Sequence, residues 1–257
     1  MPGIESDWLE VTQVHLALPR LPGSFSGFRL VQISDIHMGG WMNIDRLTHV
    51  MDIVTEQSPN LVAITGDSVL GRDLKRTSAE EIGELESALR RLATHIPTMA
   101  VLGNHDCYLG IQKVLAMMER CGVQTLVNSV QKVQFNGEHI YVCGVDDLRA
   151  GKPRIEKVLA ELPSDGCAIL MAHEPDFADK SAATGRFDLQ ISGHSHGGQV
   201  NLPLIGPPFL PSGARKYPSG LYEVGQMHLY TNRGVGMTPP YIRLNCRPEV
   251  TVFTFER

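Results

Sequence analysis

The sequence predicts an α/β fold of sheets covered by helices on their outer faces. Three observations predict it: the first half alternates apolar runs with amphipathic segments, the second half is richer in strands, and short polar clusters sit where the strands end. Residues 28–34 (FRLVQIS) form the first apolar run and are read as a strand. Residues 43–57 follow as a helix, with Asn43 as N-cap and Ile44, Leu47, Met51 and Val54 along one face. Residues 60–65 (NLVAIT) make a short buried strand. Residues 78–94 give a helix whose capping box is Ser78 with Glu81 and whose stripe is Ile82, Leu85, Leu89 and Leu92. A strand at 98–102 precedes a helix at 109–121 that stops at Gly122. Further strands are expected at 125–130, 133–135, 139–145, 167–172, 188–192, 220–224, 227–231 and 249–255, with short helices at 153–161 and 176–183. The stretch 202–218, rich in Pro and Gly, is expected to be a long ordered loop.

Composition narrows the function. With 42% hydrophobic and 20% charged residues the chain can bury a core. Its 257 residues carry no repeat, low-complexity tract or long linker, so a single domain over 1–257 is expected. A formal charge of −5 argues against a general nucleic-acid binder, and no stable nucleic-acid complex is expected. Five scattered Cys without a CxxC argue against a disulfide framework and a thiolate zinc site. The N-terminal stretch lacks a basic start followed by an apolar run, and no eighteen-residue apolar run occurs anywhere. The expected location is therefore the cytoplasm, without a spanning helix.

The polar clusters carry the chemistry. The strand at 28–34 runs into Asp35-Ile36-His37, that at 60–65 into Gly66-Asp67, and that at 98–102 into Gly103-Asn104-His105-Asp106. The strand at 167–172 runs into His173-Glu174, and that at 188–192 into Gly193-His194-Ser195-His196. Ligand sites in open α/β sheets lie at the carboxyl ends of strands, so five such clusters imply one convergent site. Imidazole, carboxylate and amide oxygen suit divalent zinc, iron and manganese. In Asp35-x-His37 and His194-x-His196, side chains two apart on extended backbone reach the same way. The candidate ligands are too many for one ion and suit two ions bridged by a carboxylate. Gly66, Gly103 and Gly193 precede ligands and allow sharp turns or close approach. A single His at a strand end is ordinarily a polar terminus. Five clusters in alternating strand context are not accounted for by packing.

The order D-x-H, GD, GNHD, H, GHxH resembles the calcineurin-like metallophosphoesterase superfamily. Residues 28–39 (FRLVQISDIHMG), 192–199 (SGHSHGGQ) and 230–236 (YTNRGVG) are similar to its branch of YkuE- and YaeI-type phosphodiesterases and UDP-diacylglucosamine pyrophosphatases. The resemblance implies a four-layer α/β/β/α sandwich of two mixed sheets flanked by helices. It implies that Asp35, His37 and His196 hold a first metal, that Asn104, His173 and His194 hold a second, and that Asp67 bridges them. The two ions would be divalent or mixed-valence manganese, iron or zinc. The implied activity is a phosphodiesterase in which a metal-activated water attacks phosphorus in line. The alternatives are a pyrophosphatase acting on a nucleotide-linked lipid such as UDP-diacylglucosamine, a phosphomonoesterase, and a non-enzymatic metal-dependent scaffold. Protein phosphatases extend GD to GDxxDRG, and Gly66-Asp67-Ser68-Val69-Leu70-Gly71-Arg72 departs from that pattern.

His105 adjoins the ligand Asn104 and would act as general acid or as donor to a phosphoryl oxygen. Asp106 either orients His105 and raises its pKa or is a plain turn residue. Asp146 and Asp147 are either partners of the centre or a solvated strand end. Arg149 and Arg233 are either phosphate contacts or structural ion pairs. Cys107 is read as packing, and His15, His49, His95, His139 and His228 as surface or structural. The loop 202–218 follows the HxH block, so it borders the site. Its apolar residues either contact a lipid or aromatic ester group, with peripheral membrane contact, or brace the loop on the body.

Overall fold

The computed structural model describes Glu5 and residues 7–71 and 77–257. Arg72, which ends the comparison with the protein-phosphatase pattern, lies outside the described residues, as do residues 1–4 and Ser6 of the N-terminal stretch. Strand side chains alternate between faces, and here both faces are buried. In β2 (Arg29–Ile33) Leu30 enters one core while Val31 and Ile33 enter another. β3 (Leu61–Thr65) repeats the division, with Leu61 and Ala63 against Val62 and Ile64. Such continuous apolar runs are what a sheet covered on both sides requires.

Two six-stranded mixed sheets result. The first has the order β1 (Glu10–Ala17), β12 (Glu249–Glu256), β2, β3, β4 (Thr98–Val101), β5 (Gln124–Thr125). β2, β3 and β4 run parallel, and β12 is antiparallel to β2. The second has the order β10 (Gly220–Val224), β11 (Met227–Thr231), β9 (Leu189–Ser192), β8 (Ala168–Met171), β7 (Glu138–Gly144), β6 (Ser129–Phe135). One core lies between the sheets, with Leu30, Phe253 and Val101 meeting Ile140, Ile169 and Ile191. A second lies under α1 (Ile44–Glu56), α2 (Ala79–Ala93) and α3 (Asn104–Cys121). A third lies under α4 (Ile155–Glu161) and α5 (Ala178–Ala182). The layers are therefore α/β/β/α. Both expected helix caps are present: Asn43 accepts from Arg46 N, and Ser78 and Glu81 close a reciprocal capping box.

Three departures from the sequence reading have local causes. β1 was not foreseen, although Val14, Leu16 and Leu18 are buried at alternate positions. α3 begins at Asn104 rather than 109, because Gly103 caps it and the Asp106 carboxylate accepts the Gly103 N–H; Gly110, at φ 121°, interrupts the helical path. The expected strand 125–130 is two strands in different sheets, and residues 126–128 carry the chain from β5 to β6 with Asn128 at φ 51°. The stretch 202–218 holds no helix or extended strand, as expected.

Candidate metal centre

The parallel strands β2, β3, β4, β8 and β9 deliver the five polar clusters to one end of the sandwich. The backbone there is strained. Asp35, His37, Asp67, His194 and His196 lie at φ 52°, 50°, 55°, 66° and 51°, a left-handed region that costs a non-glycine residue about 1–3 kcal/mol. Neighbouring backbone holds them: Asp35 N donates to Gly66 O at 3.0 Å, His37 N to Asp67 O at 3.0 Å, and Gly236 N to Asp35 O at 2.9 Å. Two glycines allow the clusters to close. A Cβ on Gly193 would sit 1.9 Å from Ser34 Oγ, and one on Gly103 would sit 2.2 Å from Asp67 Oδ1.

The expected ligands fall into adjoining groups. Asp35, His37 and His196 place their donor atoms within 4.8 Å of one another, and so do Asp67, His173 and His194. Asp67 Oδ2 faces both groups, 3.7 Å from His37 Nε2 and 3.2 Å from His173 Nε2. His196 Nε2 lies 3.3 Å from Asp35 Oδ1 and 3.0 Å from His37 Nε2. Two neutral ring nitrogens at that distance repel through their lone pairs unless a proton or cation lies between them. The Oδ1 atoms of Asp35 and Asn104 are buried without a hydrogen-bond partner, which is costly unless a cation supplies one. His173 Nδ1 donates to Thr65 O at 2.7 Å, leaving Nε2 for the centre, and His194 Nε2 donates to Ser212 O at 3.0 Å, leaving Nδ1. This donor set fits two divalent ions.

Electrostatics prepares three of the imidazoles for the same state. Burial pushes His37 and His194 down to about 3 and His196 well below its usual value, so these imidazoles are neutral with lone pairs available. Burial raises Asp35 to about 6. Burial also opposes charge on His173 and Asp67, but their mutual attraction outweighs it, holding His173 well above and Asp67 well below the ordinary range.

His105 is half-buried at the start of α3. Its Nδ1 donates to Leu70 O, and its N–H donates to Asp67 Oδ1 at 2.8 Å. It also lies within 4.8 Å of the donor atoms of His37 and Asp67, forming a third group. Of the two alternatives for Asp106, the turn residue is the one its contacts favour, since no hydrogen bond joins Asp106 to the His105 ring. Asp106 Oδ1 accepts from Ser68 N at 2.9 Å and Val69 N at 3.3 Å, and Oδ2 accepts from Gly103 N at 3.0 Å. Burial, and then the charge of Asp67, raise its carboxyl to about 7. Asp106 thus ties the loop after β3 to the start of α3. Asp106→Ala leaves three buried N–H groups unpaired, at about 1–3 kcal/mol each. Urea unfolding is expected to show a loss of at least about 3 kcal/mol, and a variant as stable as wild type would return Asp106 to a role at His105.

The remaining candidates separate. Arg233 pairs with Glu249 at 2.9 Å and Glu10 at 2.8 Å, the structural alternative. Asp146 and Asp147 accept backbone N–H groups of their own loop. Arg149 is exposed and lines the cavity over the centre. That cavity measures about 550 Å³, and its lining includes the polar Asp67, Asn104, His105 and His194 and the apolar Pro208, Phe209, Pro239 and Pro240. Phe209 and the nearby Leu204 and Ile205 are 73%, 108% and 77% exposed, an apolar crest in the loop 202–218. No helix among the described residues is long and apolar enough to cross a membrane. Sequence reasoning missed Arg243. This fully buried guanidinium donates to the carbonyls of Arg233, Gly234, Gly236 and Cys246 and braces the turn bearing His196. A lone Arg gives no such signal, because its acceptors are backbone atoms.

The chain is 33% identical over 255 residues to the metallophosphoesterase YkuE of Bacillus subtilis, covering 98% of this chain and 87% of that one. It is 32% identical over 255 residues to the phosphodiesterase YaeI of Escherichia coli, covering 96% and 88%. A dimetal phosphatase from Danio rerio shares the fold at a TM-score of 0.54 with 12% identity, over 90% of this chain and 100% of that one. The calcineurin-like phosphoesterase profile matches residues 28–198, a span that holds all seven expected metal ligands. With that match over more than half its length, the chain belongs to the calcineurin-like phosphoesterase family.

Proposed function

We propose that this chain, as one domain over 1–257, is a dinuclear metal-dependent phosphodiesterase. Asp35, His37 and His196 would hold one ion, Asn104, His173 and His194 the other, and Asp67 would serve both. The observation that carries this reading is the single oxygen Asp67 Oδ2, which faces His37 Nε2 and His173 Nε2 at once. Manganese, iron and zinc all suit a nitrogen and oxygen donor set. When bound, such ions lower the pKa of water toward neutrality and neutralise charge growing on phosphoryl oxygens. His105, anchored through Nδ1 to Leu70 O, keeps Nε2 to hand a proton to the departing oxygen. The name of the relative YaeI supports a diester substrate.

A second reading is a pyrophosphatase acting on a nucleotide-linked lipid such as UDP-diacylglucosamine. The apolar wall of Pro208, Phe209, Pro239 and Pro240 favours it, because it offers an ester group an unpolar surface beside the centre. Peripheral membrane contact through 202–218 is supported by the exposure of Leu204, Ile205 and Phe209. The test is turnover by purified protein with Mn²⁺ on bis(p-nitrophenyl) phosphate, p-nitrophenyl phosphate and UDP-diacylglucosamine. Diester hydrolysis well above monoester hydrolysis is expected. UMP release that dominates would favour the second reading, and a preference for the monoester would overturn both.

A further inference from the structure

The loop following β7 is fixed by buried carboxyl groups. Asp146 Oδ1 accepts from Asp147 N at 2.9 Å, and Oδ2 accepts from Lys152 N at 2.8 Å. Asp147 Oδ1 accepts from Arg149 N at 3.0 Å and from Ala150 N, and Glu174 Oε2 accepts from Leu148 N at 3.0 Å. These three carboxyl side chains belong to residues only 8%, 0% and 1% exposed. Burying carboxylates is expensive, so a fixed conformation of this loop carries weight in the fold. Gly151 is packed into the same brace, since a Cβ there would lie 2.4 Å from Asp146 Oδ1.

What the braced loop presents is Arg149. Among the described residues it is the one Arg or Lys lining the cavity, and no carboxylate or other acceptor there engages its guanidinium. Arg233, by contrast, is held by two carboxylates. Arg149 lines the same cavity as His194. A guanidinium with no partner among the described residues, on a rigid base, is preorganised for an anion, and its forked donors match phosphoryl oxygens. The ligand clusters already provide for the phosphoryl group that reacts. We propose that Arg149 is the specificity residue for a second anionic group on the substrate, a phosphoryl group bonded next to the one that is cleaved. This rests on the phosphoesterase reading above.

The experiment compares wild type, Arg149→Ala and Arg149→Lys, all metal-loaded, with metal content measured on each sample. Calorimetry gives the Kd of UMP and of UDP as probes with one and two phosphoryl groups. Wild type is expected to bind UDP more tightly. Arg149→Ala is expected to weaken UDP by roughly 10–100-fold, the loss of a charged hydrogen-bonding pair, and to leave UMP within about threefold. Arg149→Lys should recover part of the difference, because an ammonium lacks the fork. Equal weakening of both nucleotides, or of neither, overturns the proposal. If wild type turns over no phosphoester while the UDP and UMP contrast holds, the phosphodiesterase reading fails and Arg149 stands as a diphosphate-binding residue alone.

Discussion

Asp67→Ala is expected to lose both metal ions and, with them, nearly all turnover. Asp67 is the one carboxylate whose oxygen faces both donor groups, and its charge sustains the raised pKa of His173. Its other oxygen accepts the His105 N–H, so truncation also frees the start of α3. Losing a mere outer partner of a metal site costs roughly 10–100-fold in affinity, and a shared ligand should cost more at each position. Elemental analysis should fall from about two ions per chain to well below one, with kcat/KM down by more than roughly 100-fold. Asp67→Asn, which keeps an acceptor for His105 but drops the charge, separates the scaffold effect from the ligand effect. Two ions retained in Asp67→Ala, or a single ion in metal-replete wild type, would sink the bridged centre.

His105→Ala is expected to keep its metal and lose activity mainly on substrates with poor leaving groups. The ring meets His37 edge-on with centroids 4.6 Å apart, and its Nδ1 is committed to Leu70 O. A general acid matters most when the departing alkoxide is basic, and a nitrophenolate departs with little help. The loss on an alkyl diester should therefore be ~10²–10⁴-fold, and smaller on an aryl diester. Equal losses on the two would replace proton donation with a contact to a non-bridging oxygen. The grouping of His105 with His37 and Asp67 makes metal content the deciding companion measurement. An ion lost along with activity would make His105 a ligand.

Both predictions draw on what the sequence could and could not reveal. The donor residues were legible because each cluster lies within a few residues of a strand end, and strand ends are marked by apolar runs. Sheets under helical covers followed from the same runs, whereas their number and the four-layer order came only with the family resemblance. The partition of 125–135 between sheets did not, because periodicity marks extended backbone without saying which neighbour it pairs with. Asp106 looked like a partner for His105 because the two are adjacent in sequence. Its real partners, the N–H groups of Ser68 and Val69, come from another loop and carry no side-chain signature. Arg243 escaped for the same reason, as did the backbone partners of Asp146 and Asp147: each acts on backbone atoms that only the folded chain brings near.

Asp35, His37, Asp67 and Asn104 follow strands of the first sheet, whereas His173, His194 and His196 follow strands of the second. Each expected ion would therefore be gripped by both layers, like a rivet through two plates. Elsewhere the layers meet through side chains such as Leu30 and Ile169, whose attraction is non-directional and tolerates sliding. Binding free energy at the centre then becomes resistance to parting the plates at that end. Amide protons on β2, β3, β8 and β9 would be shielded together, as one cooperative unit, while the crest at Leu204 and Ile205 stays outside it. Catalysis and mechanical integrity would share the same few atoms, which ties the lifetime of the fold to the occupancy of its centre.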